Sequence, residues 1–304
     1  MKNYPRERLW TLNYVLITLV GVLAMFSSAI VNSTISMYII DFHKGTASDV
    51  GLISSMMILT ALIMRPVSGY AVDKWGRKWL FIITIVFSGL INLSMLLPFN
   101  LDALKYIRLL YGIPFAFKHT AMYTMINDVV PKDRRAEGYS YYVIITFLTF
   151  TLITPNIGFA LAEAGNFSMI FILSAAVGFL SAIVMFVTKY KDVKNPSQQF
   201  NFGTLFEGRV ILMGLIMGLI FMGMPAVGTF SPQYSREVGF STAGVFLLMY
   251  STGMIVSRFS IKRIFDNSNP QIAGLFALFF IGAGFALTGF VRNAFGLIAG
   301  GGLM

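Results

Sequence analysis

The sequence contains no cysteine, only two histidines in 304 residues, and charged side chains at only 12% of positions. The absence of cysteine excludes disulfides, thiolate metal sites and cysteine nucleophiles. The sequence also has no metal-ligand cluster, no Walker-type glycine loop and no nucleophile elbow. We therefore expect neither a membrane enzyme nor an ATP-driven pump, and we expect no metal and no cofactor.

Long apolar runs dominate what is present. Hydrophobic residues make up 56% of the chain and the mean hydropathy is +0.74. About 20 consecutive apolar residues cross a bilayer as a helix. The runs predict spans at 11–40, 50–72, 79–98, 106–130, 139–164, 167–187, 210–230, 240–259 and 272–291, and a tenth that begins near 294 and is still running at 304. We therefore predict an all-α, polytopic membrane protein.

The net charge of +10 reflects how Lys and Arg are distributed between the two sides of the membrane. With the N-terminus in the cytoplasm, sixteen of the 23 Lys and Arg residues lie in cytoplasmic segments and four in outer segments. This is the positive-inside bias, and it removes the reason to expect a nucleic-acid partner. The remaining three, Arg65, Arg108 and Lys118, fall inside spans, whereas all 13 acids lie outside spans or near their ends. We predict a multi-pass protein of the cell membrane with a cytoplasmic N-terminus.

A charged island, G-Y-A-V-D-K-W-G-R-K at 69–78, separates the second and third spans. Gly76 permits a tight turn, and Gly69 permits close approach of another backbone. The alternative is a solvated cationic loop with no specific function. The pattern G-x-x-x-D-K-x-G-R-K resembles the loop between helices 2 and 3 of the major facilitator superfamily of secondary transporters. That resemblance implies a fold of two six-helix halves.

The chain also shows signs of an internal repeat. A shift of 193 residues carries Gly51, Arg65 and Asp73 onto Gly244, Arg258 and Asp266. Repeated halves with a central site are common in transporters. We predict a first bundle at 1–190, a cytoplasmic linker at 191–208 and a second bundle at 209–304. Because Met304 maps onto Tyr111, we expect a C-terminally truncated protein of about nine and a half membrane helices, with on the order of 80 residues missing.

The fourth span carries most of the ionisable groups inside the membrane. Arg108 and His119 are 11 residues apart, which places them within about 20° on one helix face, with Phe115 between them and Lys118 about 80° away. Intramembrane ionisable groups are functional candidates by default. The stripe suits a polar cavity or an anionic substrate group. The alternatives are that Lys118 reaches the surface and that His119 is hydrogen-bonded inside the bundle.

The family resemblance assigns expected roles to several of these positions. R-L-L-Y-G at 108–112 resembles the helix-4 motif R-x-x-x-G, whose arginine is implicated in proton coupling, although Tyr111 stands where glutamine is frequent. Within the 2–3 loop motif that Lys78 completes, Arg77 should pair with Asp128 as an intracellular latch. Asp73 should lack its partner, because helix 11 is absent. The alternative is an unpaired, solvated surface.

Two weaker motifs point toward export. Arg65-Pro66 is similar to efflux members of the family, although Arg65 could equally extend to the cytoplasmic surface. T-P-N-I-G at 154–158, with Pro155 and Gly158, resembles the antiporter motif of helix 5, but Thr154 replaces its glycine and a simple kink is the alternative.

These observations predict proton-coupled efflux of a drug or small metabolite by alternating access. The expected partners are a small-molecule substrate, H⁺ and the lipid bilayer, and the expected state is a monomer. The alternatives are proton-coupled uptake of a sugar or organic anion, and a truncated membrane protein that does not transport.

Overall fold

A computed structural model of the chain describes residues 8–195, 234, 248–253, 256, 270–290 and 294–303. It contains no strand within those residues. The helices are α1 (Leu12–Met37), α2 (Ala47–Trp75), α3 (Arg77–Ser94), α4 (Leu101–Val129), α5 (Arg135–Leu148), α6 (Thr154–Glu163), α7 (Phe167–Val187), α8 (Pro270–Phe290) and α9 (Ala294–Leu303). A π-helical turn, Tyr38–Phe42, extends α1, and another, Thr149–Ile153, joins α5 to α6.

The prediction of an all-α fold is confirmed, and the helix bounds follow the predicted spans closely. Spans 210–230 and most of 240–259 lie outside the described residues. The same is true of Gly244, Arg258 and Asp266, which form the second half of the predicted repeat, and of most of the predicted linker.

The helices begin where the sequence offers capping side chains. Thr11 accepts a hydrogen bond from the backbone of Tyr14 at the start of α1, and Asn100 accepts one from Ala103 at the start of α4. At the start of α2, Thr46 and Asp49 form a reciprocal capping box. Such caps satisfy backbone N–H groups that have no partner within the helix.

The surface of the bundle is suited to lipid. Five described helical segments are long and apolar enough to cross a membrane: 12–42, 47–75, 77–94, 137–163 and 167–187. Large apolar side chains point outward from them, and Leu62, Ile83 and Val187 are each more than 60% exposed. An apolar surface of this kind matches a hydrocarbon solvent.

Small residues allow the helices to approach closely, as is usual in membranes. A Cβ on Gly112 of α4 would lie 2.5 Å from the carbonyl oxygen of Met57 in α2. A Cβ on Gly178 of α7 would lie 2.9 Å from Ser27 Oγ in α1. Among the described residues, no atom lies within 4 Å of a Cβ added to Gly69, so the close approach expected there stays a prediction.

The connections gather at two ends of the bundle. At one end, the α2–α3 turn lies beside the end of α4 and residues 188–195, which places Lys74 and Lys132 at the same end. At the other end, the Phe42 ring packs against Phe167, and a Cβ on Gly45 would lie 3.3 Å from Leu101.

Candidate functional site

A cationic cluster lies inside the first bundle, and α4 supplies its charges. Arg108 is only 2% exposed, and its Nη2 donates a hydrogen bond to Asn32 Oδ1 of α1 at 2.7 Å. Its Nε and Nη1 atoms are buried and have no hydrogen-bond partner within the part of the chain that the structure describes. Buried guanidinium groups normally have their N–H groups paired. We define the cationic cluster as Asn32, Ser88, Arg108, Tyr111 and Lys118.

Lys118 belongs to the same cluster. Its ammonium donates to Ser88 Oγ of α3 and to Tyr111 Oη, both at 3.2 Å, and the residue is 1% exposed. The alternative that Lys118 reaches the membrane surface is therefore wrong. Both cations lie over one ring, with Lys118 Nζ 5.0 Å and Arg108 Cζ 5.5 Å from the centroid of Tyr111.

His119 follows Lys118 in α4. Its ring is 4.2 Å from that of Phe115, centroid to centroid, and the residue is 8% exposed. Arg65 of α2 is exposed and close enough to interact electrostatically with His119 and Tyr123. The structure thus brings all four predicted intramembrane basic residues to α4 or its α2 side.

The motif T-P-N-I-G at 154–158, which begins α6, coincides with a backbone irregularity. Pro155 lies in the first turn of α6, directly after the π-helical turn Thr149–Ile153. Proline cannot donate the backbone hydrogen bond that a regular helix needs there. Gly158 packs against α1, since an added Cβ would lie 2.8 Å from Thr34 Cγ2.

A second group of charged residues, the loop cluster, lies at the basic end of the bundle. We define it as Asp73, Arg77, Asp128, Tyr190 and Asp192. Arg77 is 7% exposed, and its Nε lies 3.2 Å from Asp128 Oδ2, without hydrogen-bond alignment. Asp73 Oδ1 lies 3.5 Å from Arg77 Nη2, because the i, i+4 spacing places the two side chains together. The expectation that Asp73 lacks a partner from helix 11 stays a prediction.

The chain after α7 completes the loop cluster. Asp192 Oδ1 accepts a hydrogen bond from the backbone N–H of Arg77 at 2.7 Å, and the Val193 carbonyl accepts one from its guanidinium at 2.8 Å. Tyr190 Oη donates to Asp128 Oδ2 at 2.5 Å. Burial and this bond to a carboxylate raise the pKa of Tyr190. Lys78 donates to the carbonyls of Phe186 and Thr188.

Sequence reasoning missed the neutral and linker partners. Asn32 carried a usable signal, because an amide in the middle of an apolar span needs a polar partner. Tyr190 and Asp192 carried none, since acids and aromatics are unremarkable in the polar chain that follows a membrane span. Within the described ranges there is no group of three or more residues that could hold a metal ion.

The chain is similar to several known proteins. It matches the Major Facilitator Superfamily over residues 17–304. It is 27% identical over 233 residues to the staphylopine export protein of Staphylococcus aureus, and 27% identical over 230 residues to multidrug resistance protein 1 of Bacillus subtilis. These alignments cover 72% and 73% of this chain but 57% and 58% of the relatives, so the chain spans little more than half of their length.

The fold agrees with this relationship. The structure superposes on the nucleoside transporter NupG with a TM-score of 0.70 at 14% identity, covering 96% of this chain and 79% of that one. At this identity the likeness concerns the fold alone. From the family match and the apolar helices, the chain is a multi-pass membrane protein that belongs to the Major Facilitator Superfamily.

Proposed function

We propose that this protein exports a drug or small metabolite from the cell, coupled to proton entry, by alternating access between two bundles. The main support is the similarity to an export protein and a multidrug resistance protein. In this proposal Arg108 of the cationic cluster takes part in substrate binding and proton coupling. His119 and Arg65 lie beside the route that the substrate takes through the bundle. The loop cluster biases the balance between the two conformations.

A second candidate is proton-coupled uptake of an organic anion. It is favoured by the charge of the cationic cluster, in which two buried cations have no acid beside them among the described residues. Both candidates place the protein in the cell membrane, with a small-molecule substrate, H⁺ as the coupling ion, and the basic end of the bundle in the cytoplasm.

Whole-cell dye extrusion tests the first candidate. Cells that express the protein are loaded with ethidium, and loss of fluorescence is followed with and without an uncoupler. We expect extrusion faster than in cells with an empty vector, and collapse to the empty-vector rate with the uncoupler or in Arg108→Ala. Equal rates in expressing and empty cells, with the protein present in the membrane fraction, would contradict export of this dye.

A further inference from the structure

We propose that the cationic cluster is an anion-binding site, and that its ligand is the carboxylate of an amphiphilic organic molecule. The proposal rests on the proposed function in one respect: Arg108 is closed off in this conformation, so a ligand reaches it only when the bundle opens.

The first argument is the hydrogen-bonding capacity of Arg108. A guanidinium offers five N–H groups, and the three on Nε and Nη1 have no partner within the described chain. Asn32 supplies a single neutral acceptor, at Nη2. Leaving buried donors of a charged group unpaired is costly, and a carboxylate can accept two parallel hydrogen bonds from one guanidinium.

The second argument is charge. Lys118 and Arg108 contact the same Tyr111 ring, and the oxygens that Lys118 contacts, on Ser88 and Tyr111, belong to neutral side chains. The described acids lie in the loops or within the first or last turns of their helices, away from this level. Two like charges in a low-dielectric core repel each other, and an anion bound at Arg108 offsets both that repulsion and the lost hydration.

The third argument concerns which anion fits. The surroundings of Tyr111 are apolar: Met57 and Ile91 are buried against it, and Ile107 and Phe115 pack on the same group. Small inorganic anions lose strong hydration in such surroundings, whereas an aromatic or aliphatic body gains from burial. These surroundings therefore favour an organic carboxylate over free chloride, although either anion would meet the same N–H donors.

Equilibrium dialysis of the purified full chain against 2-naphthoate tests the proposal. We expect saturable binding of 2-naphthoate, and at least about tenfold weaker binding of 2-naphthamide, which has the same ring system without the charge. This comparison uses the unmodified protein, so it does not depend on the folding of a variant. Equal affinity for naphthoate and naphthamide would overturn the site.

Variants locate the binding. Arg108→Gln should weaken naphthoate binding about 10- to 100-fold, the range for losing a charged hydrogen bond. Asn32→Ala, which keeps the guanidinium, should weaken it less. Lys105→Gln is the matched control, since Lys105 pairs with Asp102 in the first turns of α4 and is not part of the cationic cluster, and it should bind like the unmodified chain. Unchanged affinity in a folded Arg108→Gln protein would refute the assignment.

Raising chloride while sulfate holds the ionic strength constant separates the two sources of anion. Naphthoate binding that resists chloride supports the organic carboxylate, and displacement that depends on Arg108 supports the anion site with an inorganic ligand. The assay needs no transport. A protein that binds naphthoate but does not extrude ethidium keeps the site and loses the proposed export of that dye, whereas extrusion without any preference for the carboxylate keeps the export and loses the site.

Discussion

Two glycines in neighbouring helices occupy very different environments. Gly112 of α4 is pressed against the backbone of α2, where an added Cβ would lie 2.5 Å from the Met57 carbonyl oxygen and 3.1 Å from the Ala61 nitrogen. A Cβ added to Gly69 of α2 meets no atom of the described residues within 4 Å. Backbone atoms cannot move aside as a flexible side chain can, so the two positions should respond oppositely to one methyl group.

We predict that Gly112→Ala lowers the free energy of unfolding by roughly 1–3 kcal/mol, the usual cost of overpacking. Gly69→Ala should be neutral or stabilising by up to about 1 kcal/mol, because alanine favours the helix. Thermal unfolding of the two purified variants and the parent in one detergent checks this. A Gly112→Ala protein as stable as Gly69→Ala would show that α2 and α4 do not approach as closely as described.

Residue spacing predicted some of the site and missed the rest. The periodicity of α4 correctly placed Phe115 beside His119, because residues four apart in a helix lie on the same face. It did not reveal that Lys118 is buried beside Tyr111, since that depends on Ser88 in another helix. A single sequence gives the faces of a helix but not which neighbour covers each face, and that neighbour decides whether a lysine is solvated.

At the scale of elements, the chain after α7 contacts the α2–α3 turn. Gly76 adopts φ +97°, a conformation that glycine reaches without strain, and a Cβ there would collide with the Asp192 carboxylate. The Asp192 carboxylate also accepts a hydrogen bond from the backbone N–H of Arg77 at the start of α3. The backbone N–H of Asn195 donates to the backbone carbonyl of Asp73 at 2.8 Å. The turn is therefore held by the linker as well as by α4.

We predict that Asp192→Ala exposes the turn. The Arg77 amide loses its acceptor, so amide hydrogen exchange in the segment around residues 74–80 should speed up by about tenfold, the scale of one charge-assisted hydrogen bond at a partly solvated site. Mass spectrometry of peptic fragments measures the exchange.

Asp133→Ala is the matched control for that experiment. Asp133 is an exposed acid at the same end of the bundle, in the short 3₁₀ turn Lys132–Arg134. Its removal changes the net charge by the same amount and should leave exchange around residues 74–80 unaltered. Equal acceleration in both variants would mean that general electrostatics, not the bond to Asp192, protects the turn.

For the whole molecule, the sequence predicted architecture better than interactions. Apolar runs longer than a bilayer is thick allow only helices, so the fold class follows from composition. The ends of the bundle follow from the distribution of Lys and Arg. The π-helical turn before Pro155 and the contact between linker and turn do not follow from either, because both depend on how finished helices pack.

The distribution of charge makes a prediction about the orientation of the whole protein. The turns that contain Lys74 and Lys132 lie at one end of the bundle, and the α1–α2 connection lies at the other, where the cationic turns are few. Basic segments are retained on the cytoplasmic side during insertion. We therefore expect the α1–α2 connection to face outward and the α4–α5 connection to face the cytoplasm.

The absence of native cysteine makes this orientation directly measurable. Ser48→Cys and Lys132→Cys each place one thiol at an exposed position, at opposite ends of the bundle. A membrane-impermeant maleimide added to intact cells should label Ser48→Cys and spare Lys132→Cys, and both should react once the membrane is opened. Labelling of only Lys132→Cys in intact cells would show the opposite orientation. The basic turns around Lys74 and Lys132 would then face outward, against the positive-inside rule.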